Sequence, residues 1–419
     1  PVTQKHGAAA KRPLDGSGLG SCEICHGADF FGGGSQTSCF TSACHAVNGE
    51  RGPEAPALRV ATYNTSLHDD ADGGLVRRLA AGDERARQVA AVIQRVRPDL
   101  VLLNEFDWDE SGEAIARFTR DYLGVGQHGQ EAITFPYHYA APVNTGVPSG
   151  LDLDGDGRSE GPDDAWGFGR HPGQYGMLVL SRYPIDAARV RSFQHFRWAQ
   201  MPGALRPLRE DGTPWHPDAV WRELRLSSKS HWDVPVRTPQ GELHFLVSHP
   251  TPPVFDGAED RNGRRNHDEI RLWADYVDPA RADYLVDDAG QRGGLGADAP
   301  FVIAGDLNAD PRDGAAYPGA IAQLLEHPRV QAEPVPRSAG AAQAASSGSA
   351  NAAHRGDPAH DTGKFGGTAG NLRIDYVLPS RGFAILDGAV YWPLAEDAAA
   401  AYAHASDHHL VYVDLVRGD

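Results

Sequence analysis

The stretch LRVATYN at residues 58–64 is followed by GDERARQVAAVIQRVRPD at residues 82–99 and DLVLLNEF at residues 99–106. The first alternates apolar and polar residues in the manner of a half-buried strand. The second places apolar residues at helical spacing and ends before Pro98, and the third is a short apolar run typical of a buried strand. The three stretches therefore predict a strand, a helix and a second strand at the start of a folded domain.

Further strand candidates extend from this unit to the end of the chain, at residues 176–185, 243–250, 301–308, 374–380 and 408–416. Helical patterns at 266–278 and 315–326 fall between some of them, and the low-complexity segment at 338–353 is predicted to be a mobile surface loop. Many strands with few intervening helices favour an α+β fold. We expect a four-layer α/β sandwich, in which two packed mixed β-sheets are flanked by helices.

The composition changes at residue 58. Residues 1–57 are rich in Gly, Ser and Ala and lack aliphatic periodicity, so we predict a largely irregular N-terminal arm at 1–57 and a domain at 58–419. No apolar run approaches the roughly 20 residues of a membrane-spanning helix, and no membrane span is expected. The chain begins at Pro1, which we interpret as a processed mature form that is secreted, extracellular or periplasmic.

The charge is strongly acidic, with 39 Lys and Arg residues against 56 Asp and Glu residues and a formal net charge of −17. Proteins that bind nucleic acid phosphates usually present a basic surface. This balance therefore argues against a non-specific nuclease.

Polar side chains that a strand end does not need for folding follow the predicted strands. An Asp in such a place is usually a turn or cap residue, so each residue alone carries little weight. Together they form an ordered set in which each member adjoins an apolar strand. We predict the following as catalytic: Asn64, Glu105, His249, Asp306, Asn308, Asp375, Asp407 and His408.

These positions resemble the deoxyribonuclease I-like endonuclease/exonuclease/phosphatase family. The matching motifs, spread over residues 58–416, are ATYN, LLNEF, GMLVLSRYPI, LVSHP, AGDLNADP, RIDYVL and SDHH. The resemblance implies a two-sheet α/β sandwich with its active site at one end of the sheets. It also implies a metal-dependent phosphoric ester hydrolase acting on a phosphate-ester substrate.

The chemistry of such a site requires a hard cation, an activated water and neutralisation of the phosphoryl charge. Glu105 is the best candidate ligand for Mg²⁺ or Mn²⁺, since Mg²⁺ prefers carboxylate oxygens, and Asp407 resembles a second ligand. By resemblance, Asp306 orients or deprotonates the attacking water. Some relatives have an Asp where this chain has Ser66, so a further metal ligand is not expected there.

The remaining roles also follow from the resemblance. Asn64 and Asn308 would donate hydrogen bonds to phosphate oxygens. His249 and His408 would stabilise the transition state, and one of them would protonate the leaving oxygen. Asp375 resembles the carboxylate that orients His408 and keeps it cationic.

The substrate is not fixed by these motifs, because members of the family cleave DNA, RNA, inositol phosphates and sphingomyelin. Several basic residues lie in the segments between strands. We interpret them either as phosphate ligands or as solvated loop charges: Arg170, His171, Lys229, His231, Arg261, Arg264 and Arg265.

Residues 152–163, DLDGDGRSEGPD, follow the ligand spacing of an EF-hand loop. Gly157 stands at the sixth position, where the turn is sharp, Glu160 at the ninth and Asp163 at the twelfth. The alternative is an acidic, solvated turn. We predict a structural Ca²⁺ site with these ligands: Asp152, Asp154, Asp156, Arg158 and Asp163.

The arm contains two sequences that end in Cys-His. Cys22, Cys25 and His26 match a c-type haem attachment motif, and Cys39, Cys44 and His45 form a longer version of it. A four-cysteine zinc site and a pair of disulfides are the alternatives. We predict two haem c groups.

The first function hypothesis is a secreted phosphoesterase with a dihaem arm that serves electron transfer to a redox partner and assembly of a homo-oligomer or filament. In the alternative, the protein is a multihaem electron-transfer or filament-forming protein, and the hydrolase domain is decoration. A third hypothesis is an extracellular nuclease with a zinc-binding arm.

Overall fold

The computed structural model describes residues 57–346 and 350–418. The residues predicted to bind haem lie outside this part of the chain: Cys22, Cys25, His26, Cys39, Cys44 and His45. The haem arm and the boundary between residues 57 and 58 therefore stay predictions.

Strands make up two large sheets and one small one. In chain order they are β1 (Leu58–Leu67), β2 (Leu100–Phe106), β3 (Tyr137–Tyr139), β4 (Met177–Ser181), β5 (Arg191–Ser192), β6 (His231–Thr238), β7 (Gly241–Ser248), β8 (Phe301–Asp306), β9 (Gly363–Lys364), β10 (Asn371–Leu372), β11 (Asp375–Pro379), β12 (Phe383–Val390) and β13 (Val411–Arg417). The first sheet has the order β12-β13-β1-β2-β4-β3, the second has the order β11-β8-β7-β6-β5, and β9 pairs with β10.

Helices connect the strands. They are α1 (Gly74–Ala81), α2 (Glu84–Val96), α3 (Glu113–Arg117), α4 (Asp218–Glu223), α5 (Arg261–Tyr276), α6 (Ala322–Leu325), α7 (Ala339–Ala345) and α8 (Ala400–Ala403). A π-helical segment, Phe118–Leu123, continues α3. Short 3₁₀ segments are Ala187–Arg189, Trp198–Gln200, Ala282–Tyr284, Asn351–Ala353 and Pro358–His360.

The strands bury both faces, and alternate residues enter different layers. Val60 of β1 and Val302 of β8 pack together between the two sheets. Ala61 of β1 packs with α2 on the outer face of the first sheet, and Ile303 of β8 packs with α5 on the outer face of the second. Because successive side chains of a strand point to opposite faces, this alternation produces the order helix, sheet, sheet, helix. The α+β four-layer sandwich, with two mixed sheets, is confirmed.

The first predicted strand differs from the expectation in its burial. β1 lies between β13 and β2 in the sheet and is almost entirely buried, whereas its alternating sequence predicts one solvated face. The polar residues of this strand include Thr62 and Asn64, both fully buried, because a central strand in a four-layer fold is covered on both sides.

The predicted first helix is present as α2. It begins after Asp83, whose side chain accepts a hydrogen bond from the backbone nitrogen of Ala86 at 2.8 Å, and it ends at Val96, before Pro98. Within 315–326, only Ala322–Leu325 is helical. Within the predicted loop at 338–353, Ala339–Ala345 forms a helix capped by Ser338, because alanine has the highest helix propensity. Among the described residues, no helix has the length and hydropathy needed to cross a bilayer.

Candidate active site

The topology gathers the predicted catalytic residues at one edge of the two sheets. β1 runs parallel to β2, and β7 runs parallel to β8, so the carboxyl ends of each pair lie together. β11 is antiparallel to β8 and places Asp375 opposite Asp306. β13 is antiparallel to β1, so the turn that precedes it, with Asp407 and His408, reaches the same edge.

Asp306 is the centre of a buried hydrogen-bonded network. Its Oδ2 atom accepts a hydrogen bond from Asn64 Nδ2 at 3.0 Å and lies 3.4 Å from His249 Nε2 and 3.6 Å from His408 Nε2. Asn64 Nδ2 also donates to Glu105 Oε1 at 3.0 Å. One amide therefore connects the carboxylates of the two sheets.

A second carboxylate, that of Asp375, contacts the His408 ring at its Nδ1 atom. Asp375 Oδ2 lies 2.9 Å from His408 Nδ1 and accepts a hydrogen bond from Thr362 Oγ1 at 2.7 Å. Burial lowers the pKa of His408, but the charges of Asp375 and Asp306 outweigh it and raise this pKa well above its ordinary value. Because the imidazole faces two carboxylates and is the stronger base, His408 is a cation in this setting.

The charge states of Asp306 and His249 differ from that of His408. Burial raises the pKa of Asp306, but the charge of His408 and the contact with His249 lower it further, so the net shift is downward. Burial and the charge of Lys229 lower the pKa of His249. Asp306 is therefore ionised, and His249 is neutral, with its Nε2 atom 3.4 Å from Asp306 Oδ2.

Backbone geometry at this edge is unusual for residues other than glycine. Glu105 and Asn308 have φ values of 54° and 53°, and a register shift between Asn64 and Leu67 interrupts the pairing of β1 with β2. Left-handed conformations of this kind cost free energy and occur often at functional sites. They turn these side chains toward a cavity lined by Glu105, His249, Asp306, Asn308, Asp407 and His408.

Gly305 allows β8 to approach β7 directly beside Asp306. It has a φ of 156°, and a Cβ atom at this position would lie 2.1 Å from the carbonyl oxygen of Ser248. A side chain cannot occupy that space, so the glycine in AGDLN sets the distance between these two strands.

Asn104 and Thr362 support the site but are absent from the predicted set. The side chain of Asn104, fully buried, accepts a hydrogen bond from the backbone nitrogen of Asp306 at 3.1 Å and donates to the carbonyl oxygen of Ser248 at 3.4 Å. It therefore links the first sheet to the second. Asn104 could have been found from the sequence, because a polar amide inside the apolar run DLVLLNEF is unusual. Nothing in the sequence indicates that Thr362 contacts Asp375.

Glu105 and Asp407 offer the oxygen donors that a hard cation requires. Glu105 is partly exposed and Asp407 is exposed, and both line the cavity. Ser66 Oγ donates a hydrogen bond to Asp407 Oδ1 at 3.4 Å, so a neutral hydroxyl lies beside the second candidate ligand. Two carboxylates that open onto solvent suit Mg²⁺, which keeps several of its waters.

A tighter group of possible ligands, Asp306, Asp375 and His408, also occurs among the described residues. His408 is cationic and lies between the two carboxylates, 2.9 Å from Asp375 Oδ2 and 3.6 Å from Asp306 Oδ2, so the three side chains form a charge network. Asn308 donates its backbone N–H to Asp306 Oδ1 at 3.0 Å and its side-chain amide to the carbonyl of Pro250 at 3.1 Å.

The predicted basic residues divide into two groups. Lys229 is 6% exposed and lines the cavity. Burial lowers the pKa of its ammonium group, although Glu269, Glu105 and Asp306 oppose that shift. Within the described part of the chain, no hydrogen bond or ion pair holds this ammonium group. Lys229 therefore presents an amino group without a protein partner to the cavity that Asp306 also lines.

The second group has structural contacts. The ring of His231 contacts Ser227 Oγ at 2.7 Å and the carbonyl of Glu269 at 2.8 Å. The others contact nearby groups: Arg170 with Asp70, His171 with the Asp69 carbonyl, Arg261 with Glu259, Arg264 with the Glu259 carbonyl, and Arg265 with the carbonyls of Leu226, Trp166 and Arg225.

The acidic loop at residues 152–163 brings three of its predicted ligands together. Carboxylate oxygens of Asp152, Asp154 and Asp156 lie within 4.8 Å of one another. These carboxylates accept hydrogen bonds from backbone N–H groups of the loop, including that of Arg158 at 2.7 Å. Asp163 does not belong to the group, so the loop is not closed around a common centre at its twelfth position.

The family assignment follows from this fold and this arrangement. The model of the Endonuclease/Exonuclease/phosphatase family matches residues 61–408, which is most of the chain and includes all eight residues predicted as catalytic. The chain belongs to this family, whose members are metal-dependent hydrolases of phosphoesters.

Solved structures of the same kind share little sequence with this chain. An endonuclease/exonuclease/phosphatase from Beutenbergia cavernae is 20% identical over 87% of this chain and 72% of its own, with a TM-score of 0.48. Sphingomyelinase C from Streptomyces griseocarneus is 17% identical over 86% and 99%, with a TM-score of 0.44. A Staphylococcus aureus beta toxin with bound magnesium ions is 13% identical over 87% and 100%, with a TM-score of 0.42. Among curated proteins, none matches significantly.

Proposed function

We propose that this domain hydrolyses a phosphate ester by direct attack of water, with Asp306 as the group that positions the water. The observation that carries the proposal is the convergence of Asn64, His249 and His408 on one oxygen of Asp306. An ionised, buried carboxylate with three fixed partners is a pre-organised hydrogen-bond acceptor for the attacking water.

The charges around Asp306 suit the change that occurs in the transition state. His408, kept cationic by Asp375, stabilises negative charge that develops on the phosphoryl oxygens or donates a proton to the leaving oxygen. Lys229 binds a phosphoryl oxygen, because its ammonium group faces the cavity without a protein partner. Asn308 would add an amide donor to the phosphate, whereas both hydrogens of the Asn64 amide are directed at Glu105 and Asp306.

Glu105 and Asp407 would hold a divalent cation, Mg²⁺ or Mn²⁺. When bound, the cation supplies Lewis-acid stabilisation of the phosphoryl oxygens. The remaining steps belong to the protein: Asp306 orients water, His408 holds a proton at Nε2, and Lys229 neutralises charge.

The test is release of 4-nitrophenol from bis(4-nitrophenyl) phosphate by the purified full chain. We expect turnover with Mg²⁺, loss of turnover in excess chelator, and recovery when Mg²⁺ is restored. Lys229→Met should lower kcat/KM at least tenfold, because a charge-assisted contact to phosphate is lost. Lys364→Met, which removes an exposed lysine, is the matched control. Full activity in chelator, or in Lys229→Met, would contradict this proposal.

Two further cofactor sites belong to the same proposal. We infer a structural Ca²⁺ on Asp152, Asp154 and Asp156, and two haem c groups on the arm that serve electron transfer and assembly in a secreted protein. The haem sites rest on the Cys-His motifs alone. Intact-mass spectrometry of protein purified from its native host tests them: we expect two haem adducts, and the mass of the bare chain would contradict them.

A further inference from the structure

The cavity that contains the catalytic residues is larger than a phosphate group requires. Its volume is about 1240 Å³, whereas cavities of roughly 300–1,000 Å³ already enclose drug-sized ligands. Glu105, Asp306 and His408 line only part of it. The remainder is available to another portion of the substrate.

Apolar residues form much of this remaining wall. Phe168, Val254 and Phe255 line the cavity and are 50%, 38% and 87% exposed. They are three of the seven large hydrophobic residues that are exposed in the described part of the chain. Single exposed hydrophobic residues are ordinary, but several on the rim of one cavity indicate a binding surface. Phe255 also has a φ of 67°, a costly conformation for a residue with a bulky side chain.

Other apolar residues of the lining are less exposed than these three. They include Leu153, Leu224, Pro252, Pro253, Leu372 and Ile374. These side chains offer no hydrogen-bond donors or acceptors. A nucleotide base would leave its polar edge groups unpaired against such a wall, which carries a free-energy cost, whereas a hydrocarbon chain would not.

The charge of the lining also opposes a polyanion. Seven carboxylates line the cavity, namely Glu105, Asp154, Asp163, Asp306, Asp310, Asp313 and Asp407, against three Lys or Arg residues. Of those three, Arg261 is paired with Glu259 and Arg265 donates to backbone carbonyls. Nucleic acid binding requires several phosphates to be neutralised. Lys229 and a divalent cation suffice for one phosphate.

We propose that the substrate is an amphiphilic phosphoester, in which a single phosphate carries a long hydrocarbon group that lies against Phe168, Val254 and Phe255. This inference rests on the proposed function, since it assigns the substrate of the same site. It places the phosphate at Asp306 and Lys229, and the hydrocarbon along the apolar wall.

The experiment compares two soluble diesters that differ only in chain length, methyl 4-nitrophenyl phosphate and dodecyl 4-nitrophenyl phosphate, below the micelle concentration of the latter. We expect kcat/KM for the dodecyl ester to be at least tenfold higher, because buried methylene groups add binding free energy. Phe255→Ser and Phe168→Ser should each reduce the ratio of the two values several-fold. Leu386→Ser, which removes an exposed hydrophobic residue that does not line the cavity, should leave the ratio unchanged.

Equal values for the two esters, a ratio unaffected by Phe255→Ser and Phe168→Ser together, or faster cleavage of a single-stranded oligonucleotide would overturn the inference. Calorimetry separates it from the proposed function. Dodecyl phosphate should bind the full chain at least tenfold more tightly than inorganic phosphate, with a negative heat-capacity change. Such binding without hydrolysis of either ester would reject the proposed function alone, whereas equal binding of the two phosphates would reject the hydrocarbon site.

Discussion

The buried network at Asp306 and the acidic loop at residues 152–163 both consist of carboxylates held close together, but they are organised in opposite ways. In the network, each carboxylate has a cationic or amide partner from a distant part of the chain. In the loop, Asp152, Asp154 and Asp156 are bonded only to nearby backbone N–H groups. The protein therefore fixes the first arrangement with its own oppositely charged and amide groups, whereas the carboxylates of the second repel one another and accept hydrogen bonds from nearby backbone N–H groups.

The largest effects are expected from substitutions in the buried network. Asp306→Asn and His408→Ala should each lower turnover by about 10²–10⁴-fold, because each removes a group that accepts or donates a proton in the transition state. Hydrolysis of bis(4-nitrophenyl) phosphate at saturating Mg²⁺ measures the loss. Asp298→Asn, at an exposed carboxylate outside the site, is the control, and wild-type turnover in both site variants would refute the assignment.

A smaller effect is expected at the strand contact that supports the network. Gly305→Ala should lower the free energy of unfolding by about 1–3 kcal/mol, because the added Cβ would collide with the carbonyl of Ser248. Chemical denaturation measures this difference. Gly296→Ala places its Cβ in open space and should change stability little. An equally stable Gly305→Ala protein would mean that β7 and β8 separate without cost.

The acidic loop should respond to Ca²⁺ where the network does not. Free Ca²⁺ at 100 times its Kd should stabilise the folded chain by about 2.7 kcal/mol, and Asp154→Asn should abolish most of that gain. Thermal melts with and without Ca²⁺ provide the measurement. Asp211→Asn, in an exposed turn that also caps its own backbone, should keep the full response. A wild-type melt insensitive to Ca²⁺ would leave the loop an acidic turn.

A pH-dependent effect is expected at His231, a buried imidazole whose ring contacts Ser227 Oγ and the carbonyl of Glu269. Burial lowers its pKa to about 4, below the ordinary value of about 6.5 that the unfolded chain retains. The unfolded chain therefore takes up a proton first as pH falls, and stability should decrease between about pH 6.5 and pH 4, by at most about 1.4 kcal/mol per pH unit. Denaturation across this window should show a shallower decrease in His231→Gln, and identical pH profiles would contradict this account.

The sequence predicts which polar residues meet at one edge of the sheets for a physical reason. Asp306 and His408 adjoin apolar strands, so a polar residue at each place is conspicuous, and the topology then brings the strand ends together. The same logic fails for Lys229 and His231. They are two residues apart in one segment, yet one lines the cavity and the other is bonded within the core. Only tertiary packing separates them.

The predicted helix within 315–326 and the predicted loop at 338–353 fail for the opposite reason. The apolar pattern predicts too long a helix within 315–326, because only Ala322–Leu325 is helical in the folded chain. The low-complexity composition predicts too little structure within 338–353, because part of this segment forms a packed helix. Ala341 of this helix is buried, and Ser338 Oγ, at its start, donates a hydrogen bond to the carbonyl oxygen of Trp392 at 2.6 Å. Tertiary contacts decide both segments.

The position of Asn104 makes the candidate site sensitive to movement of one sheet relative to the other. Its one side chain bridges the two sheets at the catalytic Asp306, so any slippage of one sheet over the other separates this amide from its partners before either sheet unravels. Catalysis should then fail at temperatures where most of the secondary structure persists. Inactivation at a lower temperature than the loss of the circular dichroism signal would indicate that the interface between the two sheets is the least stable part of the domain.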